Sequence, residues 1–406
     1  MSSGSGLQAR NVDAVAVSGL RILYRCDLNV PMQDGIITDT TRIDRAAKGI
    51  ASLAERGAKV VVIAHFGRPK GKPNQSMSLQ PVADALAEAV GRPVAFASDC
   101  IGSGAEQAVA GLVDGQIVLL ENLRFHAGEE ANDPRFASQL AGLADLYVGD
   151  AFSAAHRAHA STEAVVRLLP SYAGPLMTAE LAALSAALEQ PARPLAALVG
   201  GAKVSTKLAV LHNLVSRVEA IIIGGGMANT FLLAAGHTIG ASLAEAEMVN
   251  EARAIMAAAE TAGCRLVLPL DLVLARQFVA GAENRCVMLG EPVADDEMIL
   301  DAGPVSITAA AAVIDNSATL VWNGPMGAFE IPPFNAATNA LARHAAAATK
   351  AGKLVSIAGG GDTVAALNQA GVGASFSYVS TAGGAFLEWL EGRDLPGVSA
   401  LVEAAG

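Results

Sequence analysis

The sequence predicts an α/β fold made of two open, parallel-sheet, Rossmann-like domains joined by a long helix and a hinge. Short runs rich in Val, Ile and Leu recur along the chain, separated by segments of helical length, as expected for strands buried on both faces of a sheet. The 406 residues also exceed the roughly 250 to 300 at which a single core stops growing. Two domains are therefore expected.

The first half of the chain contains four candidate strands and two clear helical patterns. The strands are predicted at 21–25, 58–64, 116–120 and 145–149. The helical patterns cover 42–56 and 79–90. These elements are assigned to an N-terminal domain of residues 1–174.

The second half repeats this arrangement with longer, Ala-rich helical segments. Its strands are predicted at 195–199, 218–223, 265–270, 319–322, 353–358 and 376–380. Helical segments include 243–262 and 335–349, where Ala favours the helix. Residues 191–387 are assigned to a C-terminal domain, and 388–406 to a terminal segment.

A helical pattern at 175–189 lies between the two halves. Pro175 stands at its start, and Pro191 and Pro194 follow its end, which is the usual placement of proline around a helix. The sequence therefore predicts an interdomain helix at 175–190, and the hinge is expected around it.

The composition excludes several classes of protein. Hydrophobic residues make up 52% of the chain and charged residues 17%, which argues against disorder. No apolar run approaches the ~18 residues of a membrane span, and the start has no apolar signal region. The net charge of −11 opposes nonspecific nucleic-acid binding. Four widely spaced cysteines indicate neither a disulfide framework nor a zinc motif, so a cytoplasmic location is expected.

The predicted strand ends of the first half carry Arg, His, Asp and Asn. In order they are Asp27, Asn29 and Pro31; His65, Gly67 and Arg68; Asn122, Arg124 and His126; Asp150, His156, Arg157 and His159. Ligands of open α/β sheets bind at the carboxyl ends of the strands. Any one arginine could be a solvated residue or part of an ion pair, but together they indicate a site for a multiply charged anion such as a phosphate.

Arg42 stands near the start of the first predicted helix, after the candidate cap Thr40-Thr41. A cation there is unfavourable against the helix dipole. This position suggests a functional role, with a mobile exposed arginine as an equal alternative.

The strand ends of the second half carry glycine instead. The loops are 200–203 (GGAK), 224–227 (GGGM), 323–327 (NGPMG), 359–363 (GGGDT) and 380–384 (STAGG). Bare backbone N–H groups suit nucleotide phosphates, although neither the Walker nor the dinucleotide fingerprint is present. Lys203 and Lys207 are expected on one face of the following helix, near a polyphosphate. A carboxylate beside phosphates suggests Mg²⁺ at Asp362, with a plain helix cap as the alternative.

These segments closely resemble the phosphoglycerate kinase family over essentially the whole chain. The matching motifs are 25–31 (RCDLNVP), 64–71 (AHFGRPKG), 121–126 (ENLRFH), 150–159 (DAFSAAHRAH), 200–207 (GGAKVSTK), 224–231 (GGGMANTF), 321–330 (VWNGPMGAFE) and 359–363 (GGGDT). The resemblance implies reversible Mg²⁺-dependent phosphoryl transfer from 1,3-bisphosphoglycerate to ADP, giving 3-phosphoglycerate and ATP in glycolysis. It also implies that the C-terminal segment packs on the first domain. A monomer with no nucleic-acid or membrane partner is expected.

The resemblance assigns roles to individual residues. Phosphoglycerate would be held by Asp27, Asn29, Arg42, His65, Arg68, Arg124 and Arg157. The nucleotide and its Mg²⁺ would be held by Lys203, Lys207, Asn323, Glu330, Gly360, Gly361, Asp362 and Thr363, with Asp362 as the metal ligand. Arg42, Lys203, Gly361 and Gly384 would act on the transferring group.

Two further expectations bear on mechanism. A carboxylate acceptor is already ionised at pH 7, so no general base is required, and the two domains must close to join the substrates. The family typically has glycine where this chain has Ala382, so strain of roughly 1 kcal/mol or more is expected there if a positive φ is needed. A nonenzymatic nucleotide-binding regulator and a dehydrogenase remain as rival functions.

Overall fold

A computed structural model describes residues 9–405, whose contacts separate into two compact units. Unit 1 comprises residues 9–182 and 394–405, and unit 2 comprises residues 183–393. Each unit is built on one six-stranded sheet whose paired strands are all parallel. The predicted α/β class with two parallel sheets is confirmed.

The strands of unit 1 include all four that the sequence predicts, each within one residue at either end. They are β1 (Arg21–Arg25), β2 (Met32–Gln33), β3 (Ile36–Ile37), β4 (Lys59–Ile63), β5 (Val94–Ala97), β6 (Ile117–Leu120), β7 (Leu146–Gly149) and β8 (Ser171–Ala173). The sheet order is β5-β6-β4-β1-β7-β8, while β2 and β3 form a separate hairpin. The sequence reading missed the edge strands β5 and β8, because β5 is only partly buried and β8 is three residues long.

Five helices of unit 1 lie between Thr41 and Ala141. They are α1 (Thr41–Glu55), α2 (Gln80–Val90), α3 (Gly102–Ala110), α4 (Ala127–Glu130) and α5 (Pro134–Ala141). Helix α1 buries one apolar face, including Ile43, Ile50 and Leu53, in the same core as β1 and β4. Burial of that face fixes the start of α1 beside the carboxyl ends of the strands.

A long helical segment follows β8 and crosses the boundary between the units. Helix α6 (Pro175–Leu184) continues into a π-helical turn at Ser185–Glu189, so the 175–189 pattern is helical throughout. The boundary between the units falls after Ala182.

The main sheet of unit 2 has its topological switch point at β9. The strands are β9 (Leu195–Val199), β10 (Ala220–Ile223), β11 (Arg265–Val267), β12 (Asp271–Ala275), β13 (Asn284–Met288), β14 (Met298–Ala302), β15 (Thr319–Asn323), β16 (Val355–Gly359) and β17 (Tyr378–Ser380). The order β11-β10-β9-β15-β16-β17 winds outward from β9 in one direction and then in the other. Ligands of such sheets bind where the winding reverses, between β9 and β15.

The sequence reading missed a second sheet in unit 2. Strands β12, β13 and β14 form an antiparallel sheet in the order β13-β12-β14. The strand predicted at 265–270 ends at Val267, and the chain then enters this second sheet after Pro269. Strand β13 is mostly exposed, so it lacks the apolar run that marked the other strands.

The remaining helices are α7 (Leu208–Val215), α8 (Gly225–Ala234), α9 (Val249–Ala262), α10 (Pro304–Asp315), α11 (Ala336–Lys350), α12 (Gly361–Gln369), α13 (Gly383–Leu390) and α14 (Pro396–Glu403). Among them, α9 and α11 are Ala-rich as expected, although α9 begins at Val249 rather than at residue 243. Helix α14 belongs to unit 1, where the Gly397 amide donates a 2.9 Å hydrogen bond to the Ala155 carbonyl. Within residues 9–405, no helix combines the length and apolar character needed to cross a membrane.

Candidate active site

Unit 1 brings its polar strand-end loops together at the carboxyl edge of the sheet. The Gly67 amide, after β4, donates to Asn29 Oδ1, after β1, at 2.9 Å. The Gly67 carbonyl accepts from the Arg124 guanidinium, after β6, at 2.7 Å. The loops after β1, β4 and β6 are therefore connected directly by hydrogen bonds.

Asp27 organises the loop that follows β1. One carboxylate oxygen accepts from the Asn29 amide at 3.0 Å, and the other accepts from the Ser153 hydroxyl at 2.5 Å. The Arg42 guanidinium lies 3.1 Å from this carboxylate and donates to the Asn29 carbonyl at 2.9 Å. The Asp27 carboxylate thus compensates the cation in the first turn of α1 and orients it.

The predicted threonine cap of α1 is wrong in detail. Thr40 occupies the cap position, but its hydroxyl donates to the Asp44 carboxylate at 2.9 Å. The Thr41 amide is satisfied by Asp39 Oδ1 at 2.7 Å. An aspartate accepts this hydrogen bond more strongly than a threonine because it is charged.

His65 is a neutral hydrogen-bond donor. Arg25 is only 1% exposed, and its guanidinium lies 3.0 Å from His65 Nδ1. A guanidinium can only donate, so Nδ1 accepts and the imidazole proton resides on Nε2. Burial and the neighbouring charges of Arg25 and Arg124 hold the pKa of His65 well below its usual range.

A buried acid supports the same network from behind. The Glu129 carboxylate accepts from the Ser161 amide at 3.0 Å and hydroxyl at 2.6 Å, and Ser161 Oγ accepts from Arg25 at 2.9 Å. Burial raises the pKa of Glu129. Burial and nearby arginines lower the pKa of His159 to about 4, so this histidine adds no positive charge at neutral pH.

The remaining arginines of unit 1 differ in their freedom. Arg124 is buried, and burial together with Arg157 lowers its pKa. Arg68 is exposed and Arg157 half-buried. Among residues 9–405, neither Arg68 nor Arg157 has a side-chain hydrogen bond or ion pair. These two cations are available to an anionic ligand.

In unit 2, the loops after β9 and β15 touch backbone to backbone at the switch point. A Cβ atom on Gly200 would lie 1.8 Å from the Pro325 carbonyl oxygen, and one on Gly324 would lie 2.1 Å from the Gly200 oxygen. The Gly200 amide donates to the Asn323 carbonyl at 3.0 Å. Only glycine permits this approach, which forms the floor of the site.

Asn323 connects the lysine loop to the start of α12. Its amide nitrogen donates to the Gly359 carbonyl at 2.7 Å, and its oxygen accepts from the Lys207 ammonium group. Gly360 has φ +101°, and a Cβ atom there would lie 2.7 Å from Asn323 Nδ2. Thr363 Oγ1 accepts from the Gly324 amide at 2.7 Å. The structure therefore brings these predicted nucleotide-binding residues together.

The N-termini of α12 and α13 lie next to each other. A Cβ atom on Gly383 would be 3.8 Å from the Gly361 amide nitrogen. Gly361 and Asp362 are in the first turn of α12, Gly384 is in the first turn of α13, and all three are exposed. Two helix N-termini concentrate partial positive charge and N–H donors, which is suitable for phosphate.

In these loops, the condition attached to one expectation is not met, and another expectation is wrong. Ala382 has φ −95°, so the strain expected from a positive φ is absent. Lys203 and Lys207 do not lie on one helix face, because α7 begins only at Leu208. The Glu245 carboxylate holds Ser205 through its amide at 2.9 Å and its hydroxyl at 2.5 Å, which keeps 203–207 in a turn.

A cleft of about 590 Å³ opens beside these loops in unit 2. Glycine backbone forms one part of its lining, and apolar side chains such as Leu243, Phe278 and Leu300 form another. Glu330, at its lining, is exposed. The volume and the apolar surface suit a planar ring system. The sequence reading missed this cleft because Leu300 comes from the unpredicted antiparallel sheet.

Asp301 is a further residue that the sequence reading missed. Its carboxylate lines the cleft and accepts from the Ala302 and Ala337 amides, both at 2.9 Å. Burial raises the pKa of Asp301 to about 7. A Cβ atom on Gly327 would lie 2.2 Å from this carboxylate, so the loop that ends at Glu330 can pass this close to Asp301 only with glycine at position 327.

The family model described as phosphoglycerate kinase matches residues 12–393. This chain belongs to the phosphoglycerate kinase family. The resemblance noted from the motifs is thereby confirmed.

Curated relatives and solved structures in the phosphoglycerate kinase family agree with this assignment. The chain is 61% identical to the phosphoglycerate kinase of Methylobacterium radiotolerans over 96% of its length and 97% of the relative's. It is 58% identical to that of Rhodospirillum centenum, over 97% and 99% of the two chains. The solved phosphoglycerate kinase of Coxiella burnetii has a TM-score of 0.92 at 40% identity, covering 98% of this chain and 100% of its own.

Proposed function

We propose that this chain catalyses reversible phosphoryl transfer between 1,3-bisphosphoglycerate and ADP, giving 3-phosphoglycerate and ATP, as a step of glycolysis. Family membership over residues 12–393 supports the reaction class. The observation that carries the proposal is that one chain has two different sets of strand-end loops suited to anions: arginine-rich strand ends in unit 1 and glycine loops beside an apolar cleft in unit 2.

We assign the phosphoglycerate to unit 1. Arg68 and Arg157 lack partners among the described residues and would pair with the phosphate of the ligand. Asp27 and Asn29 would accept from or orient its hydroxyl group, while His65 would donate through Nε2. Hydrogen bonds within the protein already hold Asp27, Asn29 and His65 in place, which supports this role because a pre-organised site loses less entropy on binding.

We assign the nucleotide to unit 2. Its base would occupy the apolar cleft, with the ribose near Glu330, and its phosphates would lie against the amides of Gly360, Gly361 and Thr363 at the start of α12. Lys207 and Asn323 would contact the phosphates from the β9 and β15 side. Adjacent helix N-termini favour this placement of negative charge.

The site also fits a magnesium ion. Asp362 is exposed at the phosphate-binding end of α12, and its carboxylate has no hydrogen bond or ion pair within residues 9–405. A single carboxylate together with substrate phosphates is the ligand set that Mg²⁺ commonly uses in kinases. When bound, the ion would neutralise phosphate charge.

The chemistry requires positioning rather than proton abstraction. The acceptor carboxylate is ionised at pH 7, so a general base is unnecessary. The neutral state of His65 is consistent with a binding role for this residue. Arg42 and Lys203, with the amides of Gly361 and Gly384, would stabilise the charge on the transferring phosphoryl group.

We further propose that the two units close around their substrates, with the hinge near α6 and its π-helical turn. Closure would exclude water, which otherwise hydrolyses an acyl phosphate. Small-angle scattering profiles should contract when both substrates are added, and identical profiles would contradict closure. A monomer in the cytoplasm, without nucleic-acid or membrane partners, completes the proposal.

A coupled assay tests the function directly. With 3-phosphoglycerate, ATP and Mg²⁺, the protein should form 1,3-bisphosphoglycerate, which a coupling dehydrogenase reduces with loss of NADH absorbance. Omission of Mg²⁺ or of 3-phosphoglycerate should abolish the signal. Folded protein without activity would overturn the proposal.

A further inference from the structure

Three potential metal ligands meet at the outer strands of the unit 1 sheet. Asp99 and Cys100 follow β5, and His126 follows the short turn after β6. One carboxylate oxygen, one sulfur and one imidazole nitrogen all lie within 4.8 Å of one another. Because these residues come from two loops, their spacing in sequence does not match a zinc motif. The sequence alone therefore predicts no metal site here.

The arrangement is open on one side and buried on the other. Asp99 Oδ1 and His126 Nε2 are 2.7 Å apart, with side chains 50% and 31% exposed. The Cys100 side chain is fully buried. The His126 ring packs against Phe136, with centroids 5.4 Å apart, which limits its rotation. An ion could therefore reach the buried Cys100 sulfur from solvent by way of the exposed Asp99 carboxylate and His126 imidazole.

The Cys100 sulfur is buried near three carboxylates. Burial above all, and then Asp99, Glu129 and Glu121, raise the pKa of the Cys100 thiol well above its usual range. The thiol donates no hydrogen bond to any residue in 9–405. Burial disfavours a bare thiolate, but a bound divalent cation can displace the thiol proton outright.

We propose that Asp99, Cys100 and His126 bind a borderline-soft divalent transition metal ion, with Zn²⁺ as the best match. Zinc accepts thiolate, imidazole and carboxylate together, whereas Mg²⁺ and Ca²⁺ prefer oxygen ligands alone. Binding would open the Asp99–His126 hydrogen bond, transfer the thiol proton to solvent and leave a fourth position for water. This site is separate from the Mg²⁺ site at Asp362, which lies in unit 2.

Cobalt titration of the reduced, chelator-treated full-length protein tests this proposal. Co²⁺ bound to a thiolate gives a near-ultraviolet charge-transfer band, whereas Co²⁺ bound only to oxygen ligands does not. One equivalent of Co²⁺ should saturate the band, and Zn²⁺ should displace it. Apparent affinity should increase with pH because binding releases the thiol proton. No band with folded wild-type protein would overturn the proposal.

Substitutions show which residues give rise to the charge-transfer band. Cys100→Ser and Cys100→Ala should each remove it, and His126→Ala should weaken Zn²⁺ binding by about tenfold or more. His344→Ala is the matched control, because His344 forms an equivalent 2.7 Å pair with Asp315 but has no cysteine beside it. Cys286→Ser controls for the exposed cysteine. A band that survives both Cys100 substitutions, or that disappears in either control, would contradict the assignment.

Discussion

The two anion sites proposed for units 1 and 2 differ in the groups that they would offer to a ligand. In unit 1 these groups would be side chains, such as Arg68 and Arg157, at the strand ends. In unit 2 they would be largely backbone amides left open by glycine, with the start of α12 as the main example. This difference determines which mutations can remove a ligand contact. In unit 1, shortening one side chain is enough. In unit 2, the donor is a backbone amide, so a contact is lost only when a larger side chain displaces the backbone.

The largest expected effect comes from truncating the arginine assigned to the transferring group. Arg42→Ala should lower kcat by about 10²- to 10³-fold, because it removes charge stabilisation that is specific to the transition state. Nucleotide affinity, measured by calorimetry with the free enzyme, should remain within about twofold. Arg45→Ala, on the same helix, is the control. Wild-type turnover in Arg42→Ala would remove Arg42 from the mechanism.

In unit 2, the mutation comparable to Arg42→Ala is one that adds a methyl group to a glycine. Gly360→Ala forces an alanine into φ +101° and places its Cβ against Asn323. Stability should fall by roughly 1–2 kcal/mol, and nucleotide affinity by about tenfold, which is about 1.4 kcal/mol. Binding of 3-phosphoglycerate should not change.

Gly371→Ala separates strain from contact in this experiment. Gly371 has φ +71°, but open space surrounds its Cβ position. It should show the loss of stability, measured by denaturant unfolding, without the loss of nucleotide affinity. Equal nucleotide affinities in the two variants would show that the contact with Asn323 is unimportant.

The neutral state of His65 gives a smaller prediction. His65→Gln keeps an N–H donor but loses the fixed geometry, so KM for 3-phosphoglycerate should rise roughly two- to tenfold. The pKa of His65 lies well below its usual range, so wild-type and variant KM values should keep a constant ratio from about pH 5.5 to 8. A ratio that changes through pH 6.5 would show that His65 binds as a cation.

Asp150 lies at the same strand-end edge as the arginines, but its carboxylate is engaged within the protein. Although it follows β7, its carboxylate pairs with the Tyr24 hydroxyl and accepts from the Met177 amide at 2.9 Å, at the start of α6. Burial raises the pKa of Asp150 from 3.8 to about 7. Its contribution to stability is therefore complete below pH 3.8 and is lost as the pH rises through about 7.

Asp150→Asn should consequently gain stability relative to wild type as the pH rises. The difference in unfolding free energy should move toward the variant by up to about 1 kcal/mol between pH 6 and pH 8. Asp145→Asn is the control, because Arg21 lowers the pKa of Asp145, and its effect should be constant in this range. A flat pH dependence for Asp150→Asn would contradict the raised pKa.

The sequence could predict the sheets and their strand-end loops because both depend on local signals. Apolar runs mark buried strands, and the residue that follows a parallel strand lies at the ligand-binding edge wherever that strand sits in the sheet. Asn29, Gly67 and Arg124 were brought together on this basis alone. Likewise, Asn323, Gly360 and Thr363 meet because they follow neighbouring strands.

The remaining features depend on distant packing. The neutrality of His65 follows from burial against Arg25, which the sequence does not reveal. Ala382 is unstrained because its backbone has a negative φ. The helix after Lys203 starts only at Leu208 because Glu245 holds the preceding residues in a turn. The apolar cleft required an antiparallel sheet whose exposed strand β13 resembles a loop in sequence.

Unit 1 is formed from two separate stretches of the chain, with all of unit 2 between them in sequence. Leu401 of α14 lies against Gly149, and the Gly397 amide binds the Ala155 carbonyl, close to the loop that carries Arg157. A nascent chain emerges N-terminus first, so residues 9–182 must wait for all of unit 2 before α14 covers that strand end. The half of the protein that the ribosome makes first is therefore the half that is completed last.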